Sequence, residues 1–439
     1  MRPCLEDVLF NLEPAKRVWK PLLKRLLTGA WRPLLMRPAE ADFSGEWKRL
    51  GLYLHVPFCR NLCPFCPYNR VEFEPGLYAG FERAVHQEID IVAQRVRGKS
   101  FKLGSLYVGG GTPTLDPQSL LRMLSHLRRA FGPAEDVCVE LHPAAMDDAC
   151  LDLLKEAGVG MLSIGVESLN DRLLKLIGRS HDAAQAEDAL RRAVSKGFNS
   201  VNADLMFALP TQTLSELDRD LGRVLDLGAD QVSTYPIFGF PYSDLGRQLG
   251  LRAVRRPNGT LIRAMLDIIR RRCVERGLER CAVWSFLRPG RKKFSSVTRH
   301  HYLGFGPSAA SMTGGQFRVN TFSVAEYAGA LPRRLPVALA LPLDKRLEAV
   351  YWLYWRAYEM EIPAQGYREL FGGGLEEAFG PVLGALRLAG MIEEDDGCRR
   401  VTEKAAYWIH RLQNEYSLNY IDRLWGSCRG EPWPGEVRL

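Results

Sequence analysis

The sequence predicts an α/β protein built around a parallel sheet, and three observations carry that reading. Six short apolar runs, 51–56, 104–108, 136–141, 160–166, 200–206 and 229–235, alternate with helical patterns at 77–98, 117–130, 147–157, 183–197 and 214–227. Repeated strand–helix units build parallel sheets with right-handed crossovers, so an open doubly wound sheet or part of a barrel is expected. The residues able to do chemistry fall just past the strand ends, where either architecture places its ligands. Composition agrees: 439 residues, 46% hydrophobic and 25% charged, suit a soluble globular chain with a large core.

Residues 1–48 form a basic N-terminal segment. Lys16, Arg17, Lys20, Lys24, Arg25 and Arg32 flank an apolar stripe of Trp19, Leu22, Leu23, Leu26, Leu27 and Trp31 at helical spacing. Packing on the main domain is the expected fate of such a stripe. Charges and prolines break every candidate signal-peptide core, no run reaches the length of a membrane helix, and a cytoplasmic location is expected. The net charge of +8, from 59 basic and 51 acidic residues, slightly favours acidic small molecules and does not imply nucleic acid.

The first strand, Gly51-Leu-Tyr-Leu-His-Val, leads directly into Cys59, Cys63 and Cys66. C-x3-C-x2-C offers three thiolates with no local fourth, whereas a [4Fe–4S] cluster normally takes four. Three ligands leave one iron open, and an open iron is a place for chemistry. The rival is a structural Cys3His zinc site completed by His55, although His55 lies within the strand run and its side chain is expected to point elsewhere. Disulfides are not expected, because ten scattered cysteines without a secretory leader fit a reducing compartment.

After the second strand comes Gly109-Gly-Gly-Thr-Pro-Thr114, where glycines let the backbone approach a ligand with no Cβ in the way. The third strand ends at Glu140, the fourth at Glu167, and the fifth carries Asp204, with Arg179 in Gly178-Arg-Ser-His181 between them. Carboxylates gathered at successive strand ends need cationic or hydroxyl partners, which an ammonium group, ribose and a sulfonium would supply. Residues 237–335 look less regular, with a basic helix near 259–276 and a loop-rich tract through Lys292, Lys293, His300 and His301 that could bind acidic groups. From about 343 the pattern turns helical, and a helix at 375–388 before a charged turn near Asp395 suggests a winged-helix-like domain. That helix carries Glu376, Glu377 and a lone Arg387, so DNA reading is rejected.

Taken together, the cysteine triplet and the GGGTPT string resemble the radical S-adenosylmethionine (SAM) superfamily. Leu52-Tyr-Leu-His-Val-Pro-Phe-Cys59, Leu162-Ser-Ile-Gly-Val166, Gly178-Arg-Ser-His181 and Asp204-Leu-Met-Phe-Ala-Leu-Pro210 resemble its oxygen-independent coproporphyrinogen III oxidase-like branch, which also holds heme chaperones and two-SAM methyltransferases. The resemblance runs from about residue 50 to 330. It implies a partial (β/α)6 radical SAM barrel over 49–335, followed by an α-rich winged-helix-like C-terminal domain over 336–439. It further implies a [4Fe–4S] cluster on Cys59, Cys63 and Cys66, and SAM cleaved by one electron to a 5′-deoxyadenosyl radical that abstracts hydrogen. Tyr53, Gly110 and Glu140 would contact the cluster-bound SAM. Phe65, Gly111, Thr112, Glu167, Arg179 and Asp204 would line a second SAM site, with Phe238 and Ala310 at further contact positions.

The chain departs from that branch in three places. Tyr68 stands where the decarboxylases carry a fourth cysteine, Glu167 replaces a usual glutamine, and His142 replaces asparagine or aspartate before Pro143. The expectation is therefore methyl transfer to an sp2 carbon or other tetrapyrrole-related chemistry, with porphyrinogen decarboxylation and heme chaperoning as alternatives. A low-potential electron donor is the implied partner.

Overall fold

The computed structural model describes residues 25, 33–240, 242–244, 257–295, 300–395, 397–416 and 420–439. Apart from Arg25, the basic stripe of the N-terminal segment lies outside the described residues.

The strands are β1 (Leu35–Met36), β2 (Arg49–Val56), β3 (Phe58–Cys59), β4 (Val71–Glu72), β5 (Lys102–Gly110), β6 (Val137–Leu141), β7 (Met161–Glu167), β8 (Ser200–Phe207) and β9 (Gln231–Pro236). They continue with β10 (Glu279–Ala282), β11 (Ser285–Leu287), β12 (Tyr302–Phe305), β13 (Ala310–Met312), β14 (Gln316–Asn320), β15 (Val337–Pro342), β16 (Glu361–Pro363), β17 (Ile392–Asp395), β18 (Cys398–Val401) and β19 (Val437–Arg438). Twelve of them form one sheet, ordered β10-β11-β9-β8-β7-β6-β5-β2-β12-β13-β14-β15. Its centre is the run of six expected strands, β2, β5, β6, β7, β8 and β9, each parallel to the next in sequence. Sequential neighbours throughout mean that the chain winds one way, as in a barrel, and never reverses as a doubly wound sheet does.

Alternation sorts the two faces of each strand. Along β2, Leu50, Leu52, Leu54 and Val56 join the helix-covered core, while Tyr53 and His55 point to the opposite, inner face. That inner face is unusually polar for a sheet interior. Asn202 donates to Ser163 Oγ at 2.6 Å and to Asp204 at 2.9 Å, and Ser233 donates to Asn202 at 3.0 Å. A parallel sheet buried on both faces normally reads as an apolar run, so hydroxyls, amides and acids across three strands mark a ligand-binding surface.

The outer helices are cut to length by their caps. Asp116 and Asp147 accept from the third residue beyond them, and Asp182 and Thr213 make reciprocal capping boxes with Gln185 and Glu216. Each satisfies amide groups that a helix start leaves without partners. The helix ends consequently fall within a few residues of those the periodicity predicts.

Residues 237–335 correct the sequence reading. Besides the helix Gly259–Glu275 they hold five strands, β10 to β14, which extend the sheet at both edges. Gly304-Phe-Gly-Pro looks like a loop but contributes to β12. A Cβ at Gly304 would lie 2.1 Å from the Ala310 carbonyl oxygen, so glycine is needed there for strand pairing. Lys292 and Lys293 are also engaged, on Asp136 and Glu359 respectively, and do not present free cations to an acidic substrate.

Toward the C-terminus, helices Lys345–Tyr358, Ala364–Phe371 and Leu375–Leu388 pack with a small antiparallel sheet ordered β16-β18-β17. Three helices and a hairpin wing are the winged-helix pattern. β15 joins the large sheet beside β14, and β1 pairs with β19. None of the described helices is long and apolar enough to cross a membrane.

Candidate functional site

All three cysteines stand free in one loop at the carboxyl end of β2. Phe58 anchors it in the core, packed against Phe73, Tyr78 and Phe81. The loop is then held by cations. Arg70 donates to the carbonyls of Cys66 at 2.9 Å and Cys63 at 2.5 Å, and Arg429, from the helix Asp422–Gly430, donates to those of Pro67 and Tyr68 at 3.0 and 2.6 Å. Arg179 reaches the sulfur of Cys63 itself, 3.7 Å away. Burial raises the Cys59 thiol and pushes that of Cys66 to about 12, so an added cation is what would make them thiolates.

His55 does not complete a zinc set. Its Nδ1 accepts from the Tyr53 hydroxyl at 2.7 Å and its Nε2 donates to the Asn69 carbonyl at 2.9 Å, leaving neither nitrogen for a metal. Burial holds it neutral, lowered to about 4.

The glycine triplet lies against this loop. A Cβ on Gly111 would come 2.4 Å from the Phe58 carbonyl oxygen and 2.8 Å from Cys59 Sγ, and one on Gly109 would come 2.6 Å from Glu140 Oε2. Gly110 has φ +124, a conformation that side chains rarely adopt. Thr112 is buried and directs its hydroxyl to Cys59 Sγ at 3.7 Å.

Behind the glycines the acids line up on the inner face. Glu140 accepts from the Tyr107 hydroxyl and from the Gly110 amide at 3.1 Å. Glu167 accepts from Tyr235 at 2.8 Å and faces Arg179 at 3.8 Å. Its φ of +63 is a strained conformation for glutamate. Asp204 accepts from Ser163 at 2.6 Å. Burial raises all three carboxyls, Asp204 to about 8; neighbouring carboxylates add to this at Glu140 and Asp204, while Arg179 opposes it at Glu167. Arg179 also donates to the Gly165 carbonyl at 2.7 Å, while its Nε is buried with no partner among the described residues.

Of the predicted site residues, Cys59, Cys63, Cys66, Gly110, Gly111, Thr112, Glu140, Glu167, Arg179 and Asp204 meet through these contacts. Tyr53 joins them through the ring of Tyr107, 5.9 Å away, and Phe65 packs beside Cys63 against Met206 and Leu209. Two stand apart. Phe238 sits among Phe240 and Trp284, and Ala310 packs with Val319 and Leu339 beyond β12. Sequence reasoning missed Arg70, Tyr107, Tyr235 and Arg429. Tyr107 and Tyr235 occupy inward positions of their strands, a signal that strict alternation would have given.

This arrangement fits a cubane cluster on three cysteines: unbridged buried sulfurs, a glycine cradle that a methyl group would fill, and guanidinium groups to balance thiolate charge. Residues 53–224 match the model of the radical SAM superfamily. A radical SAM domain over these residues implies the binding of a [4Fe–4S] cluster and SAM. A heme chaperone HemW of Bacillus subtilis (strain 168) is 27% identical over 385 residues, 85% of this chain and 99% of its own. An oxygen-independent coproporphyrinogen III oxidase of Paracoccus denitrificans (strain Pd 1222) is 30% identical over 275 residues, 60% of each chain. Among solved structures, the coproporphyrinogen III oxidase HemN of Escherichia coli superposes with a TM-score of 0.69 at 22% identity, covering 86% of this chain and 91% of its own. Over residues 53–224 the protein is thus a radical SAM protein, and along most of its length it is similar to HemW and to the oxygen-independent coproporphyrinogen III oxidases.

Proposed function

We propose that this enzyme acts on a tetrapyrrole-related substrate and that its reaction is methyl transfer, with a second SAM held beside Glu167, Arg179 and Asp204. The observation that carries the reading is Glu167, held 3.8 Å from Arg179: a carboxylate there suits a sulfonium and disfavours a substrate carboxylate. Cys59, Cys63 and Cys66 would hold the cluster, and Tyr53, Gly110 and Glu140 the SAM on its open iron. When bound, these groups supply one-electron cleavage of a carbon–sulfur bond and, through it, hydrogen-atom abstraction.

The chain's own residues supply placement. Gly111 keeps the strand end close to Cys59, Arg179 offsets charge at Cys63, and the Tyr107 and Tyr235 hydroxyls hold Glu140 and Glu167 in one orientation each. The phenyl ring of Phe65 and the apolar side chains of Met206 and Leu209 exclude water beside the cysteines. We assign this work to a core over 49–335, with 336–439 as an accessory unit that shares the sheet edge at β15.

A second reading, a heme-binding chaperone, is favoured by the Bacillus relative, which aligns over nearly its whole length. Tyr68, in place of a fourth cysteine, weighs against porphyrinogen decarboxylation. The test is anaerobic incubation of reconstituted protein with SAM, a strong reductant and heme or porphyrin substrates. 5′-Deoxyadenosine together with S-adenosylhomocysteine supports methyl transfer. Tight heme binding with neither product supports the chaperone and refutes our reading.

A further inference from the structure

At the opposite end of the central strands lies a second cluster of ligating side chains. His300 Nε2 and His301 Nε2 each sit 2.9 Å from the same atom, Glu348 Oε1, and the three ligand atoms lie within 4.8 Å of one another. His301 precedes β12, and its carbonyl accepts from the Gly51 amide at the start of β2. Glu348 belongs to the helix Lys345–Tyr358. From Gly51 to the cysteine end of β2 is about 17 Å of strand, so this cluster is separate from the radical SAM site.

We propose that His300, His301 and Glu348 form a binding site for a divalent first-row transition metal that fastens the sheet to the C-terminal helices. His300 and His301 lie in a bend just before β12, where consecutive side chains need not diverge, and both imidazoles turn toward one oxygen with ring centroids 4.2 Å apart. Among the described residues the only ion-pair partners of Glu348 are these two histidines, which carry charge only if protonated. Two neutral imidazoles and a carboxylate sum to a single negative charge, a donor set suited to zinc, iron(II) or manganese rather than calcium. Metal bonds of about 2.1 Å place adjacent octahedral ligands about 3 Å apart, which is the spacing of both nitrogens from the oxygen.

Gly314, at φ +66, closes the third side, and a Cβ there would stand 3.3 Å from His301 Nε2 and 3.8 Å from Glu348 Oε1. The ring of Phe371 meets His300 edge-on at 5.6 Å and shields one flank. Each ligand side chain keeps 10–13% of its surface open, enough for water to complete the coordination shell.

The test uses full-length protein with its iron–sulfur cluster reconstituted, so that the loop cysteines are occupied, dialysed against buffered Zn(II). Zinc is counted per chain by elemental analysis. We expect a single zinc ion in the wild type and affinity at least about tenfold weaker in H301A and E348Q, with iron and sulfide content unchanged. Zinc should also raise the thermal midpoint of the wild type. Wild-type protein that retains no zinc, or retention unaffected by both substitutions, overturns the site. Should both variants fail to fold, the wild-type zinc count and midpoint decide: a midpoint that zinc does not move refutes the proposed fastening.

Discussion

Gly111 shows how much a single side chain would disturb. Its backbone conformation is open to any residue, so the demand for glycine is purely spatial, set by the Phe58 carbonyl and the Cys59 sulfur. Gly111→Ala should push the cysteine loop outward, cost about 1–3 kcal/mol, and lower iron incorporation measured after reconstitution. Full iron content and unchanged stability would contradict this geometry. Glu88 tests burial away from the site. It is 2% exposed and accepts from Tyr327 at 2.5 Å, Gly306 at 2.8 Å and Asn320 at 2.8 Å, and desolvation raises its carboxyl to about 7. The folded protein therefore binds this proton more tightly than the unfolded chain. Its contribution is fully present below the ordinary carboxylate range and drains away as pH rises toward 7, by roughly 3 kcal/mol at most. Glu88→Gln should flatten that part of the pH profile in urea unfolding between pH 5 and 7.5, and a profile as steep as the wild type would contradict the assignment.

At the scale of elements, the six central strands were legible because they are buried on both faces and so read as short apolar runs between periodic helices. β10 to β15 were harder. They are short and, apart from the parallel pairing of β12 with β2, antiparallel, with glycine within β12 and proline at the end of β15, and their pairing depends on edges that a sequence does not display. The acids of the site were legible from their places at strand ends. Arg429 was not, because its role depends on a helix some 360 residues from the loop it holds. That helix also brings Trp425 to the ring of Tyr68 at 5.9 Å, and Arg429 stacks on Tyr242 at 4.8 Å. Replacing Arg429 by methionine should remove two hydrogen bonds from a charged donor, each contributing about 1.5–3 kcal/mol, and speed iron loss to a chelator by tenfold or more. An unchanged release rate would show that the C-terminal helix does not steady the loop.

Over the whole molecule, charge and burial set the acid limit of stability. His55, His142, His181 and His410 are held neutral by burial, lowered to about 4, 2, 4 and 3 respectively. Their folded values lie below the unfolded value of 6.5, so the stability they provide is present above that pH and is lost as pH falls through the range down to 4. Thermal midpoints should drop steeply between pH 6.5 and 4, and a double variant, His181→Gln with His410→Gln, should lessen the slope. An equal slope in the variant would place the acid sensitivity elsewhere.

The central claim is that three cysteines hold a cluster whose fourth iron is open to SAM. Electron paramagnetic resonance of the anaerobically reconstituted and reduced protein, recorded with and without SAM, addresses it directly. The account predicts the signal of a reduced [4Fe–4S] cluster that changes shape when SAM is added. A cluster signal indifferent to SAM, or reconstituted protein holding zinc in place of iron at the cysteines, would contradict it.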